Sequence, residues 1–173
     1  MRTKKIAPFL FTCLMAILSS CNDEPLCGCV NIDLTTYLVV TDDQNNNLLD
    51  PSTPGHFEKN KIRIFYVKDG ERKEVYDANL DLPRNFDISK DNAAQEYAMK
   101  LFPDEGKSDN EITTTLIQWN ENEVDTVTCE VRREASSVWI AKVWYDGTLA
   151  YDQISGATAL GDTQVGRWIR VTK

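Results

Sequence analysis

One histidine, eight glycines and three methionines in 173 residues leave little room for several kinds of chemistry. The single histidine, His56 between Gly55 and Phe57, has no sequence partner that completes a nucleophile–base–acid triad or a histidine-bearing metal site. It reads as a plain loop residue. The glycines build no phosphate-cradling loop, and no nucleophile motif stands out. Cations are in short supply, 19 Lys and Arg against 27 Asp and Glu, for a formal net charge of −8. So acidic a chain is a poor binder of nucleic acid or anionic lipid through its general field. Beyond residue 18, no apolar run approaches the roughly 20 residues a spanning helix needs. No cofactor is indicated.

The oxygen donors Asp42, Asp43, Asn45, Asn47 and Asp50 crowd one loop, and Asp43-x-Asn45-x-Asn47 has the spacing that opens a calcium loop. Leu48 stands where such a loop needs glycine, and Pro54 where it needs a bidentate glutamate. The stretch therefore reads as a solvated turn whose Asx side chains cap their own backbone, and no metal is assigned.

What the chain does have begins at its N-terminus. Arg2, Lys4 and Lys5 precede a mostly apolar run over 6–18, and the small residues Ser19 and Ser20 precede Cys21. A basic start, a short apolar core and small residues before a cleavage point are the pattern of a secretory signal peptide, here 1–20. Leu18-Ser19-Ser20-Cys21 resembles the lipobox of bacterial lipoproteins, which implies a lipid on the thiol of Cys21 and cleavage just before it. Asn22-Asp23-Glu24 resembles the acidic export signal of surface lipoproteins of the Bacteroidota, which implies the outer face of an outer membrane. Cleavage before Cys21 removes 20 of 173 residues, leaves 153, and takes the formal charge from −8 to −11. That length suits one domain. The expected organisation is a signal peptide over 1–20, a lipidated tether over 21–29 and a single domain over 30–173, with the lipid as the membrane anchor.

Lipid on Cys21 and loss of Cys13 leave Cys27, Cys29 and Cys129, an odd number for an oxidising compartment. A disulfide from Cys129 to Cys27 or Cys29 would staple the tether to the domain, closing a loop of about 100 residues worth ~4–5 kcal/mol in the chain-entropy model. A Cys27–Cys29 bond, an intermolecular bond and no bond are the alternatives. Cys27-Gly28-Cys29 lacks the second pair that a metal site requires.

Short strands and turns fill the rest. Alternation over 30–40 gives a half-buried strand with its even positions inward. Asp69-Gly70 and Asp146-Gly147 are hairpin turns joining 61–67 to 72–76 and 137–145 to 148–152. Strands are also expected over 85–89, 111–119, 124–131 and 167–172. The stretch 92–102 begins like a capping box at Asn92 and Gln95, yet its second half suits a strand, which is the preferred reading. The pattern predicts an all-β fold, an antiparallel β-sandwich of about 7–9 strands. Over 137–145, Trp139, Ala141, Val143 and Tyr145 form the expected core face, and Val138, Ile140, Lys142 and Trp144 a mixed face. Trp144 and Trp168 are therefore the candidates for an exposed ligand surface.

The stretches Asp43–Pro51, Glu123–Val127 and Val143–Gly147 resemble small immunoglobulin-like or transthyretin-like domains of Bacteroidota lipoproteins. The resemblance implies an all-β fold and carries no catalytic residues. The expected function is a non-catalytic binding or assembly module on the cell envelope, with a glycan or protein ligand. A small secreted hydrolase working through carboxylates and a structural subunit of a surface complex are the alternatives.

Overall fold

The computed structural model describes residues 31–92, 94–109, 111–154, 157–158 and 167–173. Among them the chain is all β. Its twelve strands are β1 (Asn31–Asp33), β2 (Thr36–Thr41), β3 (Arg63–Lys68), β4 (Glu71–Glu74), β5 (Phe86–Lys90), β6 (Tyr97–Leu101), β7 (Glu111–Asn120), β8 (Glu123–Glu134), β9 (Ser137–Tyr145), β10 (Thr148–Asp152), β11 (Ala157–Thr158) and β12 (Trp168–Thr172). They form two packed sheets. The first has the order β11-β10-β9-β8-β7-β3-β4, with β1 added beside β9; the second has the order β12-β2-β6-β5.

The expected antiparallel sandwich is present, with two exceptions: β1 runs parallel to β9, and β12 runs parallel to β2. The strand number exceeds the expected seven to nine in part because one expected stretch is divided and the short β11 is added. The run over 30–40 breaks at Leu34-Thr35, so that β1 joins the first sheet and β2 the second. The expected alternation stops at the break: Leu34, Thr36, Leu38 and Val40 are buried, but so is Val39, and Ile32 on β1 is exposed.

Two alternating faces meet between the sheets. Leu38, Val40, Met99, Leu101 and Ile169 come from the second sheet, and Ile64, Ile117, Val127, Val131, Ile140 and Val143 from the first. Each such side chain taken from water contributes about 1.5–3 kcal/mol. The long connection from β2 to β3 adds Leu49 and Ile62 to this core, and Phe57 from the same connection stacks on Trp119 at 4.8 Å.

Turn chemistry fixes the registers. Asp69 and Gly70 have φ of 53° and 80°, and Asp146 and Gly147 have 45° and 78°. Two successive left-handed residues are what a tight right-twisted hairpin requires. Asp146 also accepts from the Thr126 N–H through its Oδ1 at 2.7 Å, joining the turn to β8. The ambiguous stretch resolves into a turn and a strand. Asp91 accepts from the Gln95 and Ala94 N–H groups at 2.9 and 2.7 Å, and β6 follows from Tyr97.

Candidate ligand groove

The pairing of β8 with β9 is regular from Val127↔Tyr145 to Glu130↔Lys142, then slips by one, so that Val131 faces Ile140 and Arg132 faces Trp139. Ala141 is the extra residue, a β-bulge. A bulge reverses the in-and-out phase of a strand, and this one corrects the expected faces of 137–145. Beyond it Val143 and Tyr145 point inward as expected. Before it the inward residues are Val138 and Ile140, which are buried, while Trp139 stands on the outer face, half-buried. Trp139 is therefore not a core residue. It shares the outer face of the first sheet with Lys142 and Trp144.

Around Trp139 lies a shallow groove of about 280 Å³. Its indole Nε1 donates to Gln153 Oε1 at 2.8 Å, which restrains the ring. Directly across the strand pair stands Arg132, and one row further the pair Glu130 and Lys142. The Glu130 carboxylate, 13% exposed, binds Arg132 Nη2 at 2.6 Å and Lys142 Nζ at 3.6 Å. The exposed Ile154 closes one side. An immobilised aromatic ring beside fixed planar polar groups can stack on a sugar ring or an apolar side chain while its neighbours exchange hydrogen bonds with the ligand.

The two tryptophans singled out from sequence do not share a surface. Trp144 is half-buried on the outer face of the first sheet, between Thr128 and Leu149. Trp168, also half-buried, belongs to the second sheet, where its neighbour Ile169 enters the core and its ring stacks on Tyr37 at 4.7 Å and 8°. Only Trp144 lies on the same face as the groove. Trp139 is the residue that sequence reasoning misplaced, because strict alternation carries no sign of where a bulge falls.

The remaining sequence candidates have other roles. Cys129 is a free thiol with 0% exposure, facing the sandwich interior, and burial pushes its ionisation up to about 12. Its expected bond to Cys27 or Cys29 involves residues outside those described. Cys129 pairs with Val143, whereas Asn31 pairs with Ser137, six residues away along β9 or about 20 Å. Cys21, Cys27 and Cys29 themselves lie outside the described residues.

In the acidic loop, Asp42 Oδ1 accepts from the N–H groups of Gln44 and Asn46 at 2.9 and 2.8 Å. Asp50 Oδ1 accepts from the Ser52 N–H at 2.8 Å, and the Asn47 carboxamide bridges Leu49 N and the Tyr97 carbonyl. Asp42, Asn47 and Asp50 thus cap their own backbone, as expected. His56 Nδ1 lies 3.0 Å from the Thr53 carbonyl within its loop.

Two deeply buried carboxylates stand apart from the groove, each in a network of its own. Asp104 meets Lys68 Nζ at 2.5 Å, and its backbone N–H donates to Thr115 Oγ1. Asp125 accepts from Trp119 Nε1 at 2.5 Å, from the Tyr145 hydroxyl and from Lys173 Nζ. Nearby, Glu111 holds the 104–109 loop by accepting from the N–H groups of Lys107 and Ser108 at 2.6 and 2.8 Å, which draws its ionisation down to about 2.

A second polar depression on the outer face of the first sheet, near the opposite end of β7, is lined by Lys61, Arg63, Gln118, Asn120, Glu121 and Asn122. No protein-family model matches this chain, and no curated protein and no solved structure matches it either.

Proposed function

We propose that the protein is a lipid-anchored, non-catalytic binding module of the cell envelope that holds a glycan in the groove around Trp139. One observation supports the glycan reading above the others: the Ala141 bulge presents the Trp139 ring outward, fixed by Gln153, beside the paired Glu130, Arg132 and Lys142. A bulge that re-aims a large aromatic from core to surface forgoes its burial, and bulges concentrate where a side chain serves a ligand. The lipobox-like Leu18-Ser19-Ser20-Cys21 and the Asn22-Asp23-Glu24 that follows support attachment through Cys21 at the outer face of an outer membrane.

Affinity electrophoresis against a panel of polysaccharides tests the reading. The purified domain is expected to be retarded by at least one polysaccharide, and Trp139→Ala to abolish the retardation while the protein stays folded. Release of reducing sugar by the wild-type protein would overturn the non-catalytic account. Retardation that survives Trp139→Ala would place the site elsewhere.

A further inference from the structure

We infer that the ligand of this groove is an uncharged polysaccharide, bound along its chain, and not an acidic one; the inference rests on the glycan reading above. Three observations carry it.

The first is charge balance. Asp109, Glu130 and Glu134 among the lining residues are matched by Arg132, Arg133 and Lys142. The second is that Glu130, Arg132, Arg133 and Lys142 are already engaged. Glu130 lies between Arg132 at 2.6 Å and Lys142 at 3.6 Å, and the Arg133 Nη2 donates to the carbonyls of Glu105 and Gly106, both at 3.0 Å. A carboxylated or sulfated sugar entering here would have to displace Glu130 from its cations, and it would meet a protein whose overall charge repels it. A neutral sugar accepts and donates hydrogen bonds at the outer edges of the same groups without breaking the pairs, and the pairing holds those groups in one geometry beforehand, which favours binding.

The third observation is what lies beside the groove. The next row across the sheet is Thr114, Thr128, Trp144 and Leu149, in register from β7 to β10 and without a charge. Trp144 follows Trp139 along the same face at four ladder steps, about 13 Å. Two rings at that separation on an open face, with hydroxyls beside them, suit a chain of sugars that continues past the groove. An enclosed pocket for a single terminal sugar would not present that second ring.

The test is affinity electrophoresis and calorimetry with mannan and xyloglucan as neutral probes, and polygalacturonate and chondroitin sulfate as acidic ones. The wild-type protein is expected to bind a neutral probe with a dissociation constant unchanged by added sodium chloride up to about 0.5 M, because no counterion is released and exposed charge is screened at that strength. Glu130→Gln removes the carboxylate between two cations. It is expected to weaken neutral binding and to create salt-sensitive binding of the acidic probes. Trp144→Ala is expected to lower affinity for the polymer about tenfold, the loss of a hot-spot aromatic, while changing affinity for a disaccharide little. Preferential, salt-sensitive binding of an acidic probe by the wild-type protein would overturn the inference and leave the glycan reading standing. Binding of none of the four probes, nor of any polysaccharide in the wider panel, would overturn the glycan reading itself.

Discussion

Asp125 shows what a single side chain contributes to this sandwich. It is 4% exposed, and its two oxygens serve three donors from three parts of the chain: Trp119 on β7, Tyr145 at the end of β9, and Lys173 beyond β12. Glu123 adds a second carboxylate to Lys173 at 3.0 Å. The network ties the first sheet to the strand that ends the second. Burial and the neighbouring Asp125 push the Tyr145 hydroxyl far above its usual ionisation, so it remains a donor at any ordinary pH. Burial opposes the charge on Lys173, but its bonds to Asp125 and Glu123 outweigh that, and its ionisation is raised above 10.5. The Lys173 contribution is therefore complete below pH 10.5 and is lost as pH climbs through the raised value. Asp125→Asn leaves the Lys173 ammonium partly uncompensated. The expected cost is about 3 kcal/mol, the scale for breaking a buried ion pair, read as a lower urea midpoint with unchanged slope. None of this was legible beforehand. The sequence marks Asp125 and Tyr145 as strand residues, but nothing local tells that three distant donors converge on one of them.

At the scale of the strand, the lesson lies in β9. Most elements were readable because each had two independent signals: alternation and a turn. Asp69-Gly70 and Asp146-Gly147 both form the expected hairpins, and β2, β3, β7, β8 and β10 fall where alternation places them. What alternation cannot supply is an interruption of itself. Ala141 adds one residue, and the phase before it reverses, exchanging Val138 and Ile140 for Trp139 as core. The short β11 was missed for a related reason, because two residues give too few repeats to show a period. The phase of β9 is open to direct measurement. Val138→Ala is expected to destabilise the domain by about 1–3 kcal/mol, as a truncated core side chain does. Trp139→Ala, although the larger truncation, is expected to cost less than about 1 kcal/mol, as outer-face substitutions do. Thermal melts of the two variants would show the order, and a larger loss for Trp139→Ala would put that ring back in the core.

For the molecule as a whole, the first residues and the sandwich give separate kinds of information. Cys21 and its neighbours point to a place, the β9 face to a ligand, and the ten residues from Cys21 to Asn31 span at most about 35 Å of extended chain. On the proposed anchoring, a domain held that near a membrane would meet its ligand at the cell surface. Cys21→Ala is expected to shift the protein from the membrane fraction to the soluble one, and the acyl mass found on the wild-type N-terminus is expected to disappear. Retention of the Cys21→Ala protein with membranes would end the proposal of a lipid anchor.

The parallel pairing of β1 has a mechanical consequence. Any pull transmitted through the tether enters the domain at Asn31, and there the chain is held by three residues against β9, with Arg167 bound to the Asp33 carboxylate and to the Thr35 carbonyl. β2, the next strand inward, has partners on both sides. Under rising load, β1 yields first. Its three residues would then lengthen the proposed tether by about 10 Å, at the loss of their pairing with Ser137, Val138 and Trp139. On the proposed anchoring, β1 would act as a fuse between the membrane and the core of the sandwich.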